Sequence, residues 1–190
     1  DGDGGAVTCH DAELAQRVRE LAVHGMPRRY LHTALGYNSR LDAIQAAVLA
    51  VKLPHLERWL AARRAIASLY HTQLAGLPVV ALPEPGPDGH SWNQYVLRVL
   101  PGPRQPSGRD WLKQQLQDAG VNTIIYYPIP IHRQPAYADL GYGPGSLPVT
   151  ERLCDEVLSL PIFPELGDDR QQRVVEVLHS LVAAAQPLAA

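Results

Sequence analysis

The sequence predicts an α/β fold in which a small mixed sheet carries flanking helices next to one long helix. Apolar residues make up 46% of the 190 residues, which is enough for a packed core. Residues 41–75 carry apolar side chains at helical spacing. Beyond residue 76, short strand-like runs alternate with amphipathic helical segments, a pattern typical of a sheet covered by helices.

The first predicted elements are a short strand and a helix. The glycine-rich residues 1–5 indicate a turn that leads into the strand. The helix should follow over residues 11–24, with Asp11 as its N-cap and Gly25 at its end, because these residue types favour those positions. Residues 26–37 lack periodicity and predict a loop.

The longest predicted element is the helix over residues 41–75. Pro54 predicts a break or kink in it, because proline lacks a backbone donor and clashes with the preceding turn. Asn38, just before this helix, could simply cap it, or could bind an anion together with the free amides of the helix start. Arg40 could likewise be an ordinary surface ion-pair partner.

The C-terminal part predicts the small sheet and three further helices. Gly120 should end the first of these helices, for which Ser107 is the expected cap, and Asp168 should begin the last. Strands are expected at 77–85, 92–100 and 121–130, and residues 147–166 predict a helix that ends in a proline-bracketed segment.

Composition argues against several classes of partner. The net charge of −2 gives no single-signed field for nucleic acid or an anionic membrane, and no apolar run has membrane-spanning length. Cys9 and Cys154 are far apart, and the eight histidines lack metal-ligand spacing, so neither a disulfide framework nor a metal site is predicted. We therefore expect a cytoplasmic protein.

A stiff loop is the most distinctive local feature. Pro128 and Pro130 interrupt the run that contains Tyr126 and Tyr127, and they hold His132 on a restrained segment. A surface loop stiffened in this way often positions a side chain for a ligand.

Several segments together carry a resemblance to a known family. In chain order they are GDGGAV, GYNSRLDAIQAAVL, WNQYVLRV, IYYPIPIHRQPAY and LSLPIFPEL. This series is similar to the C-terminal half of the DegT/DnrJ/StrS aminotransferases, over essentially the whole sequence. The resemblance implies the aspartate-aminotransferase (type I) fold, with residues 1–37 ending the large cofactor domain, 38–75 forming a linking interface helix, and 76–190 forming the small C-terminal α/β domain.

The same resemblance implies an activity and residues that serve it. The enzymes of this family use pyridoxal 5'-phosphate to transfer an amino group from glutamate or glutamine to a nucleotide-linked keto sugar or a cyclitol. The implied assembly is a homodimer with a shared active site, in which Asn38 reaches the cofactor phosphate of the partner subunit and Arg40 assists. His132 and Tyr127 match positions near the substrate.

The cofactor lysine of the family precedes the Gly-Asp-Gly-Gly segment, so this sequence is expected to be a fragment without it and inactive alone. Lys52 and Lys113 lie in helical patterns that lack the surroundings of a Schiff-base lysine. Two alternatives stay open at this point. The chain could be a non-catalytic dimerisation or regulatory module, or a relative of the sugar dehydratases in which histidine replaces the lysine.

Overall fold

The computed structural model describes residues 5–78, 80–101 and 108–185. It divides the chain into two units, Asp1–Leu56 and Glu57–Ala190. The predicted turn at residues 1–4 and the predicted cap Ser107 lie outside the described residues.

The first unit contains two α-helices and a 3₁₀ helix, namely α1 (Ala12–Ala22), α2 (Ala43–Lys52) and Leu53–His55. The start of α1 is confirmed, because the Asp11 carboxylate accepts the backbone N–H groups of Glu13 and Leu14 at 2.8 and 3.1 Å. Its end is confirmed as well, since Gly25 takes a left-handed φ of 69° shortly after the last turn.

One prediction for this unit is wrong, and the alternative in which Asn38 caps the long helix is excluded. Residues 5–9 form no strand, because a strand needs a hydrogen-bonded neighbour and no described segment pairs with them. The helix predicted from residue 41 starts at Ala43, and its N-cap is Asp42, so Asn38 does not cap it. The break at Pro54 is confirmed by the 3₁₀ helix that follows α2.

The second unit contains four helices and three strands among its described residues. They are α3 (Leu56–Gln73), β1 (Val80–Ala81), β2 (Tyr95–Val99), α4 (Gly108–Asp118), α5 (Pro148–Glu156), β3 (Val157–Leu160) and α6 (Asp168–Ala185). Two 3₁₀ helices, Ile131–Arg133 and Pro135–Leu140, lie between α4 and α5. The strands form one sheet in the order β1-β2-β3.

The core of this unit lies on one face of β2. Tyr95, Leu97 and Val99 alternate with half-buried residues along the strand and are themselves buried. They join one hydrophobic cluster with side chains of α3, α4, β3 and α6. Tyr70 of α3 packs its ring 5.0 Å from that of Tyr95, measured between ring centroids.

The α/β class is confirmed, but the sheet differs from the prediction. Its three described strands are antiparallel throughout, where a mixed sheet was expected. The strand predicted at 121–130 reduces to a single bridge between Ile124 and Ser159. The sequence did not predict β3, which lies inside the segment expected to form a helix and a proline-bracketed tail. A four-residue, mostly apolar run is too short for its periodicity to distinguish a strand from a helix.

The described residues contain no helix with the length and apolar character needed to cross a membrane. Within the same residues, no group of three or more histidine, cysteine or acidic side chains is placed to hold a metal ion.

Candidate anion cleft and histidine–glutamate pair

Asn38 lies on a segment whose backbone pairs with the C-terminal end of α1. The N–H of Tyr37 donates to the carbonyl of Leu21 at 2.7 Å, and the N–H of Ser39 donates to the carbonyl of Ala22 at 2.9 Å. These bonds satisfy carbonyls that the helix end leaves without intrahelical partners. The position of Asn38 is therefore set by α1 and not by the helix that follows it in sequence.

Two glycines allow this close approach. A Cβ on Gly36 would lie 2.7 Å from the carbonyl oxygen of Leu21, and a Cβ on Gly25 would overlap the carbonyl of Ala34. Because neither position has room for a side chain, the backbone can approach the helix end only with glycine there.

The resulting surface borders a cleft of about 660 Å³ within the first unit. Arg19, Asn38, Ser39 and Arg40 contribute its polar side chains, and none of the described lining residues is acidic. Two guanidinium groups without a nearby carboxylate in the lining create a positive potential that favours an anionic ligand.

The two predicted cofactor residues, Asn38 and Arg40, are brought together. Nε of Arg40 donates to Oδ1 of Asn38 at 3.1 Å. The amide NH2 of Asn38 and the terminal nitrogens of Arg40 have no other hydrogen-bond acceptor within the described part of the chain. These unused donors suit a ligand that only accepts hydrogen bonds, as the oxygens of a doubly ionised phosphate do, so the residues present fit a phosphate group.

Arg19, in the last turn of α1, is a cleft residue that the sequence did not identify. Helical spacing places it on the same face as Ala15 and Ala22, which also line the cleft. That signal becomes useful only once the segment containing Asn38 is known to lie against this face.

His132 lies in the second unit, in the 3₁₀ helix Ile131–Arg133, and is only 9% exposed. Its Nε2 donates to Oε1 of Glu151 on α5 at 3.1 Å. Backbone N–H groups of Gly145 and Leu147 also donate to this carboxylate, and they, followed by His132, hold the pKa of Glu151 below its usual value. The sequence reading missed Glu151, which is 19 residues from its partner.

Tyr127 is 67% exposed, and its ring packs edge-on against that of Tyr126 at 5.5 Å between centroids. No hydrogen bond or ring contact joins it to His132 in the residues that the structure describes. Lys52 and Lys113 lie on α2 and α4, and neither is among the described residues that line the cleft.

Comparison with known proteins places these features in context. A sequence model of the DegT/DnrJ/EryC1/StrS aminotransferase family matches residues 1–179. The chain is 48% identical over 178 residues to the erythromycin biosynthesis sensory transduction protein EryC1 of Saccharopolyspora erythraea, which covers 93% of this chain and 47% of that protein.

Two further similarities extend to an enzyme and to a solved structure. The chain is 42% identical over 178 residues to the dTDP-3-amino-3,4,6-trideoxy-alpha-D-glucose transaminase of Streptomyces venezuelae, covering 93% of this chain and 45% of that protein. The crystal structure of S. venezuelae DesV in complex with a ketimine intermediate superposes with a TM-score of 0.83 at 40% identity, over 90% of this chain and 45% of that one. The chain spans about half the length of the curated relatives it matches.

Proposed function

Because the chain belongs to the DegT/DnrJ/EryC1/StrS aminotransferase family, we propose that the protein carrying it is a pyridoxal-phosphate-dependent aminotransferase. It transfers an amino group from glutamate or glutamine to a nucleotide-linked keto sugar or a cyclitol. The similarity to a transaminase of a dTDP-linked amino sugar supports this substrate class.

The observation that carries the proposal is the positive cleft of the first unit. The amide of Asn38 and the guanidinium of Arg40 bind the cofactor phosphate, and Arg19 adds a second cation on the same side. In the homodimer that we propose, the phosphate belongs to the cofactor bound by the partner subunit.

When bound, pyridoxal phosphate supplies the electron sink that this transfer needs. The residues of this chain bind the cofactor phosphate and orient the substrate. His132, whose Nε2 is held by Glu151, faces the substrate with its other ring nitrogen, and the exposed hydroxyl of Tyr127 hydrogen-bonds the sugar. The lysine that carries the cofactor is not assigned to any residue of this chain, so no proton-transfer step is assigned to residues 1–190.

The exposed apolar side chains in α2 and directly next to it support the proposed dimer. Ile44 is 79% exposed, and Leu41, Val51 and Leu53 also expose more than half of their surface. A group of neighbouring exposed apolar side chains of this kind marks an interaction surface. Residues 38–75 then form the interface segment between the end of the cofactor domain, residues 1–37, and the small domain, residues 76–190. Both cysteines are free, which is consistent with a cytoplasmic enzyme.

The test is the absorption spectrum of the full-length protein with pyridoxal phosphate, before and after L-glutamate is added. We expect a visible band of bound cofactor that shifts when glutamate is added. If the protein binds the cofactor but its spectrum does not change with glutamate, glutamine or any other amino donor, transaminase activity is excluded.

A second candidate is a regulatory protein that retains the family fold without catalysis. It is favoured by one relative, which is named a sensory transduction protein. The same spectrum separates the two functions, because a regulator without the cofactor lysine retains no cofactor band once unbound pyridoxal phosphate has been removed.

A further inference from the structure

The carboxylate of Glu151 accepts hydrogen bonds from three different groups. Nε2 of His132 lies 3.1 Å from its Oε1, while the backbone N–H groups of Gly145 and Leu147 donate at 2.8 and 3.2 Å. Two of these donors belong to the main chain, so they fix the carboxylate independently of the imidazole. An imidazole that donates to a fixed carboxylate takes one orientation and keeps a proton on that nitrogen.

The surroundings of His132 restrict the ring further. The side chain of His132 is 7% exposed and that of Glu151 is 22% exposed. The ring of Tyr142 packs edge-on against the imidazole, with 6.1 Å between centroids. The short 3₁₀ helix is closed by a hydrogen bond of 2.9 Å from the N–H of Arg133 to the carbonyl of Pro130. The ring therefore cannot turn without breaking its bond to Glu151.

We propose that Glu151 is a positioning residue for substrate binding, which holds Nε2 of His132 so that Nδ1 accepts a hydrogen bond from a sugar hydroxyl. The inference rests on the proposed function, in which His132 contacts the nucleotide sugar. A neutral imidazole with its proton on Nε2 offers Nδ1 as an acceptor, and a sugar hydroxyl is a matching donor. Glu151 itself touches neither substrate nor cofactor.

The test compares Glu151→Gln, His132→Gln and the double variant of the full-length enzyme. Glu156→Gln is the matched control, because Glu156 is on the same helix but pairs with Arg98 at 2.6 Å. The first readout is the pair of ¹⁵N signals of the His132 ring, and the second is the KM for dTDP-3-amino-3,4,6-trideoxy-α-D-glucose in the reverse reaction.

We expect Glu151→Gln to move the ¹⁵N signals of His132 and Glu156→Gln to leave them in place. Both Glu151→Gln and His132→Gln should raise the KM by about tenfold with little change in kcat, because each variant loses the hydrogen bond between His132 and the sugar hydroxyl. The double variant should be no worse than His132→Gln alone, because a residue that acts through another adds nothing once that one is gone.

Two results would overturn the inference while the aminotransferase stands: unchanged ¹⁵N signals in Glu151→Gln, or KM effects that multiply in the double variant. If the wild type converts neither this amino sugar nor any other nucleotide-linked amino sugar, the proposed nucleotide-sugar substrate class fails, and the inference, which rests on it, fails as well. Should Glu151→Gln not fold, Glu151→Asp keeps a carboxylate at this position but shortens the side chain by one methylene group, which draws the carboxylate away from His132. The same expectations then apply.

Discussion

At the scale of single residues, the proposed cofactor contact depends on the amide of Asn38. Its oxygen is engaged by Arg40, which leaves the NH2 group for a phosphate oxygen. Asn38→Ala should weaken pyridoxal phosphate binding by about 1.5 to 3 kcal/mol, the range for one hydrogen bond to a charged group. Titration of the full-length protein with the cofactor measures this. Gln16→Ala, which removes an exposed amide on α1, is the control and should leave the affinity unchanged.

An unchanged affinity in Asn38→Ala would contradict the assignment of Asn38 to the phosphate. Arg19→Gln provides a second check on the cleft, because this guanidinium has no ion-pair partner among the described residues. Its affinity for the cofactor should fall less than that of Asn38→Ala, and the difference from wild type should shrink at high salt, since exposed charges are screened.

Glu151 gives a residue-scale prediction for acid stability. Hydrogen bonds from Gly145 and Leu147 and the contact with His132 lower the pKa of Glu151 from its usual 4.5 in the folded state. A lowered folded-state pKa contributes stability above pH 4.5, and this contribution is lost as pH falls through the folded-state pKa. The free energy of unfolding, from urea titrations below this pH, should therefore fall less steeply with acid in Glu151→Gln than in wild type. Equal slopes would mean that the folded and unfolded states titrate alike.

At the scale of elements, Arg63 connects α3 to two loops of the second unit. Its Nη1 donates to the carbonyls of Trp92, Asn93 and Ile162 at 3.2, 3.3 and 2.8 Å. Arg63→Ala leaves these carbonyls without their donor and should lower the free energy of unfolding by about 2 to 4 kcal/mol. Chemical denaturation measures the change.

The neighbouring Arg64 is a matched control for Arg63. Its only described ion pair, with the exposed Glu57 at 3.5 Å, is on the surface. Arg64→Ala should change stability by less than about 0.5 kcal/mol. Similar losses in the two variants would indicate that lost helix packing, rather than the bonds to the carbonyls, accounts for the effect.

The packing of the cleft segment against α1 is a second property at this scale. Gly36→Ala places a methyl group against the carbonyl of Leu21, and relief of this overlap must displace the segment that carries Asn38. We expect weaker cofactor binding without any change to a cofactor-binding side chain. Gly143→Ala, whose new methyl would meet nothing within 4 Å, should bind the cofactor like wild type. Normal binding by Gly36→Ala would mean that this packing does not position Asn38.

At the scale of the whole molecule, the proposed dimer can be tested through α2. Ile44→Glu changes a side chain that is 79% exposed in the single chain, so it should not destabilise an isolated subunit. In a dimer that buries α2, it places a charge in an apolar contact and should dissociate the assembly. Sedimentation velocity of the full-length protein measures the state, with Gln117→Glu on α4 as the charge control. A dimer that persists in Ile44→Glu would exclude α2 from the interface.

Local signals in the sequence determined much of the framework. The cap at Asp11, the break at Pro54, the end of α4 just before Gly120 and the start of α6 at Asp168 were all predicted, because each depends on the chemistry of a few adjacent residues. The family, too, followed from short segments in a fixed order.

Tertiary structure alone decided how distant residues meet. Four features join segments that are separated along the chain. They are the antiparallel pairing of β3 with β2, the placement of Asn38 against the end of α1, the presence of Arg19 in the same cleft and the bond between His132 and Glu151. None has a local signature, because each depends on which surfaces pack together and on where two glycines allow backbones to touch. The sequence thus determined the family and most of its elements, whereas the arrangement of charge and hydrogen bonds at the candidate sites was decided by packing.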